Sequence, residues 1–182
     1  ASVLTIHNLA HQGWFPKEEL PTLQLDWSHF TYLELEAYDK INVLKGGIYH
    51  STLLTTVSPT YALEIQTPQH GYALDGVIRA RGDSLFGILN GIDETIWNPA
   101  TDPRIPVNYD ADHLEGKAVC KAELQREAGL PVRADVPLYG MVSRFDKQKG
   151  YDVLAAAIPR LLGDLDIQLV MLGTGEYWAE TY

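Results

Sequence analysis

Three scarcities bound what this chain of 182 residues can be. It holds one cysteine, Cys120, so it has no internal disulfide framework and fits a reducing compartment, with the thiol read as a small helix residue rather than a nucleophile. No stretch approaches the roughly 20 consecutive apolar residues that span a bilayer. The amino terminus lacks the basic region and apolar core of a signal peptide, and no membrane partner is expected. Basic residues are few, 14 Lys and Arg against 24 Asp and Glu, for a formal net charge of −10. A nucleic-acid partner held by phosphate neutralisation is therefore not expected. Internal repeats and low-complexity segments are lacking as well.

What is present is ordinary globular usage, 46% apolar and 21% charged, in a length that suits one domain or parts of two. Short apolar or β-branched runs at Val3–Ile6, Leu53–Val57, Leu85–Leu89, Leu138–Val142 and Ile167–Leu172 predict strands. Helical periodicity falls at Tyr38–Tyr49, Pro59–Gln66, Leu114–Ala128 and Tyr151–Leu162. The alternation predicts an α/β fold with parallel sheets. Ser58 before Pro59 reads as an N-cap with proline at the first helical position, and Gly129 as the close of the long helix. That helix sets Leu114, Ala118, Leu124 and Ala128 among mixed charges and reads as an amphipathic surface helix. Residues 98–113, rich in proline and acid, read as a long loop, preceded by a junction at Asn90-Gly91-Ile92-Asp93. A strand beginning at the first residues, and a last strand followed by no further helix, read as ends cut from something longer.

In open α/β sheets ligands bind beyond the carboxyl ends of the strands. Three strand-end loops stand out. His7 to Gly13 carries two imidazoles, His7 and His11, but no third ligand is visible and Gly13 argues for a loop, so a strand-end histidine contacting a polar ligand is expected rather than a metal. Ser143 to Gly150 concentrates Arg144, Lys147 and Lys149 before a helix in an otherwise acidic chain, which suits an anion. Spacing alone leaves a solvated loop of paired charges equally open. Gly173-Thr174-Gly175 lets the backbone approach another group closely, but from the residues alone a tight turn after a buried strand is the favoured reading. Trp14, Phe15, Trp27 and Trp97 are expected in core or interface packing rather than against a ligand.

Taken in order, His7-Asn8-Leu9-Ala10-His11-Gln12-Gly13, Asn42-Val43-Leu44-Lys45-Gly46-Gly47-Ile48, Thr55-Thr56-Val57-Ser58-Pro59-Thr60-Tyr61, Gly71-Tyr72-Ala73-Leu74-Asp75-Gly76-Val77, Ile88-Leu89-Asn90-Gly91-Ile92-Asp93, Trp97-Asn98-Pro99, Gln148-Lys149-Gly150 and Leu172-Gly173-Thr174-Gly175 resemble the bacterial glycogen synthases and plant starch synthases. The resemblance implies a GT-B fold of two Rossmann-like domains with the active site in their cleft. Residues 1–86 would be the C-terminal part of the acceptor-side domain, and residues 87–182 the N-terminal part of the nucleotide-sugar-binding domain. It implies transfer of glucose, with retention, from ADP-glucose to the non-reducing end of an α-1,4-glucan, without a cofactor or bound metal, in the bacterial cytoplasm or a plant plastid.

Residue by residue, the resemblance puts His7 beside the donor sugar and Arg144 and Lys149 on its diphosphate as the catalytic set. Asn90, Asp93, Gly173 and Gly175 fall at donor-binding positions. Ser143 and Phe145 flank Arg144 where the family has glycine and leucine. The family's amino-terminal lysine and glycine-rich loop would precede Ala1 and its glutamate motif would follow Tyr182, which implies little turnover by the chain alone. A non-catalytic nucleotide-sugar or glucan binding module, or a related glucosyltransferase using UDP-glucose, are the alternatives; the complete reading frame separates them.

Overall fold

The computed structural model describes residues 1–175; residues 176–182 of the expected second domain lie outside them. The chain divides into two compact units, Ala1–Ile92 and Asp93–Tyr182.

The first unit runs β1 (Val3–Ile6), β2 (Trp14–Pro16), β3 (Glu36–Ala37), β4 (Lys40–Asn42), α1 (Val43–His50), β5 (Leu53–Thr56), α2 (Pro59–Glu64), α3 (Asp75–Arg79) and β6 (Leu85–Gly87). Its main sheet is parallel, in the order β1-β5-β6. Ile6 is opposite Thr56 and Thr56 opposite Gly87, so the three carboxyl ends finish at one edge. The period of two is visible in β5, where Leu54 and Thr56 are buried and Leu53 and Thr55 are not. On the other face Thr55 Oγ1 lies 2.8 Å from Thr5 Oγ1. Ile6, Leu9, Ile48, Leu54, Ile65, Leu74 and Ile78 close into one core. Ser58 caps α2 as expected, accepting from the Tyr61 amide with Pro59 at the first helical position. Gly87 is required locally, because a Cβ there would sit 2.3 Å from Pro59 Cα.

Between β1 and α1 lies an antiparallel sheet of order β2-β4-β3, over a small core of Leu20, Leu35 and Ile41. This corrects the helix expected over Tyr38–Tyr49, because only Val43–His50 is helical. Tyr38 and Asp39 turn the β3-β4 hairpin with φ of +53° and +60°, the left-handed pair a two-residue hairpin needs. Lys40–Asn42 then pairs on both sides, and the Asn42 side chain accepts from the Lys45 amide to start the helix.

The second unit contains α4 (Glu115–Glu127), β7 (Leu138–Val142), α5 (Tyr151–Asp164) and β8 (Gln168–Leu172). β7 and β8 pair in parallel, Leu138 with Gln168 through Val142 with Leu172, with α5 as the crossover such pairs need. Its core is Tyr151 and Ala155 with Met141, Phe145 and Met171 against them. Residues 98–113 form the expected irregular segment, closed by Asn108 Nδ2 donating to the Pro99 and Asp102 carbonyls, both at 2.9 Å. Gly129, at φ +69°, ends α4 as expected. The amphipathic reading of α4 is corrected: Leu114, Ala118, Leu124 and Ala128 are all exposed, and the buried positions are Gly116 and Gln125. Gln125 Nε2 donates to Gln168 Oε1 at 2.5 Å and to the Arg133 carbonyl, so a polar clamp, not an apolar stripe, docks the helix. Among the described residues no helix is long and apolar enough to cross a membrane.

Candidate functional site

In the first unit, His7 follows directly on β1, with Thr56 ending β5 and Gly87 ending β6 along the same edge. The loop from His7 to Gly13 is a built scaffold. Leu9 is fully buried and its amide donates to the Tyr61 hydroxyl at 3.1 Å. Asn8 Oδ1 accepts from the Ala10 amide at 2.9 Å. Gln12, also buried, donates from Nε2 to the Tyr72 carbonyl at 2.9 Å and accepts from Asn42 Nδ2 at 2.6 Å. The Gln12 carbonyl takes the Leu44 amide at 2.9 Å. The strand-end loop is thereby fixed to the start of α1, while His7 and His11 stay exposed. Thr56 Oγ1, at the same edge, is buried without a hydrogen-bond partner among the described residues; its position in an apolar run gives no sign of this.

Beside this loop Gln12, Trp14, Glu36, Tyr38, Lys45 and Leu74 bound a cavity of about 390 Å³. Lys45 is buried, donates to the Tyr32 and Glu36 carbonyls and sits 4.7 Å from the centre of the Tyr32 ring. Burial pushes its ammonium below the usual lysine range, with Glu36 opposing. Trp14 and Tyr38 stand with ring centres 6.4 Å apart. Trp14, Phe15, Trp27 and Trp97 are 41%, 47%, 53% and 68% exposed, so of the expected core or interface packing the core half is not met. They sit on the short sheet, on a turn and on the irregular segment.

Asn90 lies beyond β6 and is exposed. Asp93 belongs to the second unit, where its Oδ1 accepts from the Thr95 and Ile96 amides at 3.0 and 3.2 Å, a turn-capping role that its carboxylate suits.

The other candidates converge at the carboxyl ends of β7 and β8. The Ser143 amide donates to the Leu172 carbonyl at 3.1 Å and the Phe145 amide to the Thr174 carbonyl at 2.9 Å, so the pairing of the strands continues into their loops. The glycines permit this: a Cβ on Gly173 would lie 1.8 Å from the Ser143 carbonyl oxygen, and one on Gly175 2.1 Å from that of Phe145. Close approach is therefore their local reason, within the chain itself. Phe145 stacks on Tyr151 at 4.7 Å, which seats the loop on α5. Arg144 points outward, 67% exposed, with a guanidinium nitrogen 3.5 Å from Asp146 Oδ2. Asp146 is committed to the chain, accepting from the Lys149 amide at 3.1 Å. A single turn, Lys147–Lys149, separates the loop from α5, and Gly150, φ +72°, starts the helix with no side-chain cap. Lys147 and Lys149 are exposed there. Two lysines, an arginine tethered at long range and an uncapped helix start form a cationic cluster on one loop, the arrangement that receives an anion.

Cys120 lies on α4 and donates to the Val107 carbonyl at 3.2 Å, in keeping with a structural thiol.

Comparison with known proteins follows the same line. The sequence pattern of the starch synthase catalytic domain matches residues 1–80. The chain is 56% identical over its whole length to glycogen synthase 1 of Geobacter sulfurreducens and 50% identical to a glycogen synthase of Bacillus licheniformis. It spans 36% and 38% of those proteins. The fold superimposes with a TM-score of 0.88, at 36% identity, on the catalytic domain of starch synthase IV from Arabidopsis thaliana bound to ADP and acarbose, covering 95% of this chain and 36% of that one. The α/β architecture with parallel sheets thus matches part of a starch synthase catalytic domain, and the similarity to glycogen synthases extends along the whole chain.

Proposed function

We propose that this chain, a counterpart of about a third of a glycogen or starch synthase, serves in the longer protein as part of a retaining GT-B glucosyltransferase that moves glucose from ADP-glucose to an α-1,4-glucan. The observation that carries the reading is the cationic loop after β7, in a chain of net charge −10, at the strand-end position where α/β sheets take nucleotide ligands. In this reading Arg144 and Lys149 hold the donor diphosphate and stabilise the charge that grows on it as the glycosidic bond breaks. Fixed cations at a developing charge are commonly the largest catalytic contribution. His7 contacts the donor sugar from its own strand-end loop, with Asn90, Asp93, Gly173 and Gly175 lining donor positions. Trp14 and Tyr38 supply flat faces of the type that stack on sugar rings, in support of the glucan half. ADP as the nucleotide rests on the ligand of the Arabidopsis structure. A bacterial cytoplasmic setting is part of the same proposal.

The test is incorporation of labelled glucose into glycogen from ADP-glucose and, separately, from UDP-glucose, by the complete reading frame that carries this chain. Transfer from ADP-glucose supports the reading. Transfer from UDP-glucose alone selects the related transferase, and no transfer with retained ADP binding selects a binding module.

A further inference from the structure

We propose that His29, Glu34 and His50, in the first unit, form a binding site for a transition-metal ion of the zinc class. Both imidazoles converge on one carboxylate oxygen: His29 Nδ1 lies 2.8 Å and His50 Nε2 3.1 Å from Glu34 Oε2. One ligand atom from each residue falls within 4.8 Å of the others. The rings stand 6.2 Å apart at 68°, neither stacked nor splayed.

The site is held by backbone rather than by chance rotamers. His29 ends a short turn capped by Asp26, whose side chain accepts from the Ser28 amide. The following loop folds on itself, with the Leu35 amide donating to the His29 carbonyl at 3.3 Å and the Glu34 amide to that of Thr31 at 3.0 Å. Leu35 then seats the loop on α1, where a Cβ at Gly46 would be 2.5 Å from its Cδ2. His50 is the last residue of α1. The ligands thus come from two segments that the core already joins.

Two imidazoles and one carboxylate are a donor set that suits zinc, copper or nickel, and three protein ligands with a solvent position open is a common zinc arrangement. Metal–ligand bonds of about 2.0–2.1 Å in a tetrahedron place ligand atoms about 3.3 Å apart. The two distances to Glu34, 2.8 and 3.1 Å, need to open by only a few tenths of an ångström, and the two imidazole nitrogens, within 4.8 Å of each other, need to settle at the same spacing. Each ring would turn its proton to the other nitrogen, so that the two N–H groups now donating to Glu34 become lone pairs on the ion. The side chains are 41%, 20% and 53% exposed, so an ion reaches them directly from solvent.

The site sits at the opposite end of α1 from the Gln12 loop. Eight residues of helix separate the two by about 12 Å. A bound ion would therefore clip the loop over residues 29–36 to α1, at the far end of that helix from the Gln12 loop.

The experiment is calorimetric titration of the chelator-treated chain with zinc chloride, followed by cobalt substitution read in the visible spectrum. Expected are one equivalent of saturable zinc and the absorption of tetrahedral cobalt. Glu34→Gln and His50→Gln should each weaken binding by on the order of tenfold or more, since even partners behind a ligand matter at about that level. Glu34→Gln keeps an oxygen to accept both N–H groups, and His50→Gln changes an exposed helix end, so both should fold. His113→Gln, at the exposed His113–Asp110 pair, should change nothing. Absence of a saturable equivalent, or unchanged binding in Glu34→Gln and His50→Gln, overturns the site.

Discussion

The first unit wraps its parallel strands and helices round nine buried side chains, from Ile6 to Leu85, whereas the second closes a two-stranded sheet over Tyr151 and Ala155. In the first, strand-end geometry is fixed by burial: Leu9 and Gln12 anchor the loop that carries His7. In the second, the loop carrying Arg144 is fixed by main-chain hydrogen bonds to its neighbour and by one aromatic stack. Tyr139 and Leu162 there stay 57% and 49% exposed, and Leu154, Ile158 and Leu169 join them round an apolar hollow of about 260 Å³. The lesson is that comparable loops can be positioned by two different means, and the two should fail differently.

The largest effect should come from the first unit's core. Ile65, with no exposure, should lose about 2–5 kcal/mol on replacement by alanine, whereas Val142→Ala, at 82% exposure, should stay within about 0.5 kcal/mol. Urea denaturation followed by a probe in each unit measures both, and equal losses would erase the contrast.

Function should show the reverse order. If the proposed transferase reading holds, Arg144→Ala and Lys149→Ala in the complete protein should each cost about 2–4 kcal/mol of transition-state stabilisation, with little change in melting temperature. Wild-type turnover in both variants would remove the diphosphate assignment.

Glycine substitutions sharpen the account of the second unit. Gly173→Ala must push its loop off the Ser143 carbonyl and should destabilise by about 1–3 kcal/mol, with faster hydrogen exchange at the Ser143 and Phe145 amides. Gly163→Ala, inside α5 with nothing within 4 Å of the new Cβ, should stabilise by roughly 0.5–1 kcal/mol. The same sign for both would break the close-approach argument.

The smallest effect is electrostatic. Arg133 donates to both oxygens of Asp166 at 2.7 and 2.8 Å, and this holds the carboxyl below the ordinary aspartate range. Because the folded value is the lower one, the pair's contribution is complete above the unfolded value of about 3.9 and is lost as pH falls through the folded value. Both side chains are substantially exposed, so the effect is small and screened by salt. The melting-temperature gap between the wild type and Asp166→Asn should narrow below about pH 4; a constant gap would show that the pair does not titrate as described.

How much of this was legible depends on whether the signal is local. The parallel strands were read from apolar runs, and α2 from Ser58 and Pro59, because burial on a sheet and capping of free amides leave marks in adjacent residues. The hairpin at Tyr38-Asp39 is hard to read because its usual mark is Asn or Asp followed by Gly, and here Tyr stands first and no glycine follows, although both residues carry the positive φ. α3, only Asp75–Arg79, is too short to show a period. The His29–Glu34–His50 cluster is equally hidden, since its members lie on two segments that meet only in the fold, through the Leu35–Gly46 contact and the bonds from Lys45 to the Tyr32 and Glu36 carbonyls.

By itself the sequence determined the alternation of strands and helices, the acidic surface with its one cationic loop, and the motifs that place the chain beside glycogen and starch synthases. These are properties of neighbouring residues and of composition. Only the tertiary structure decided that Gln12 is a buried strut while His7 is exposed, that Gly173 and Gly175 serve a close crossing of backbones, and that Gln125 rather than a leucine docks α4. Each of those depends on which distant atoms fill the space beside a residue, and that is set by packing between elements.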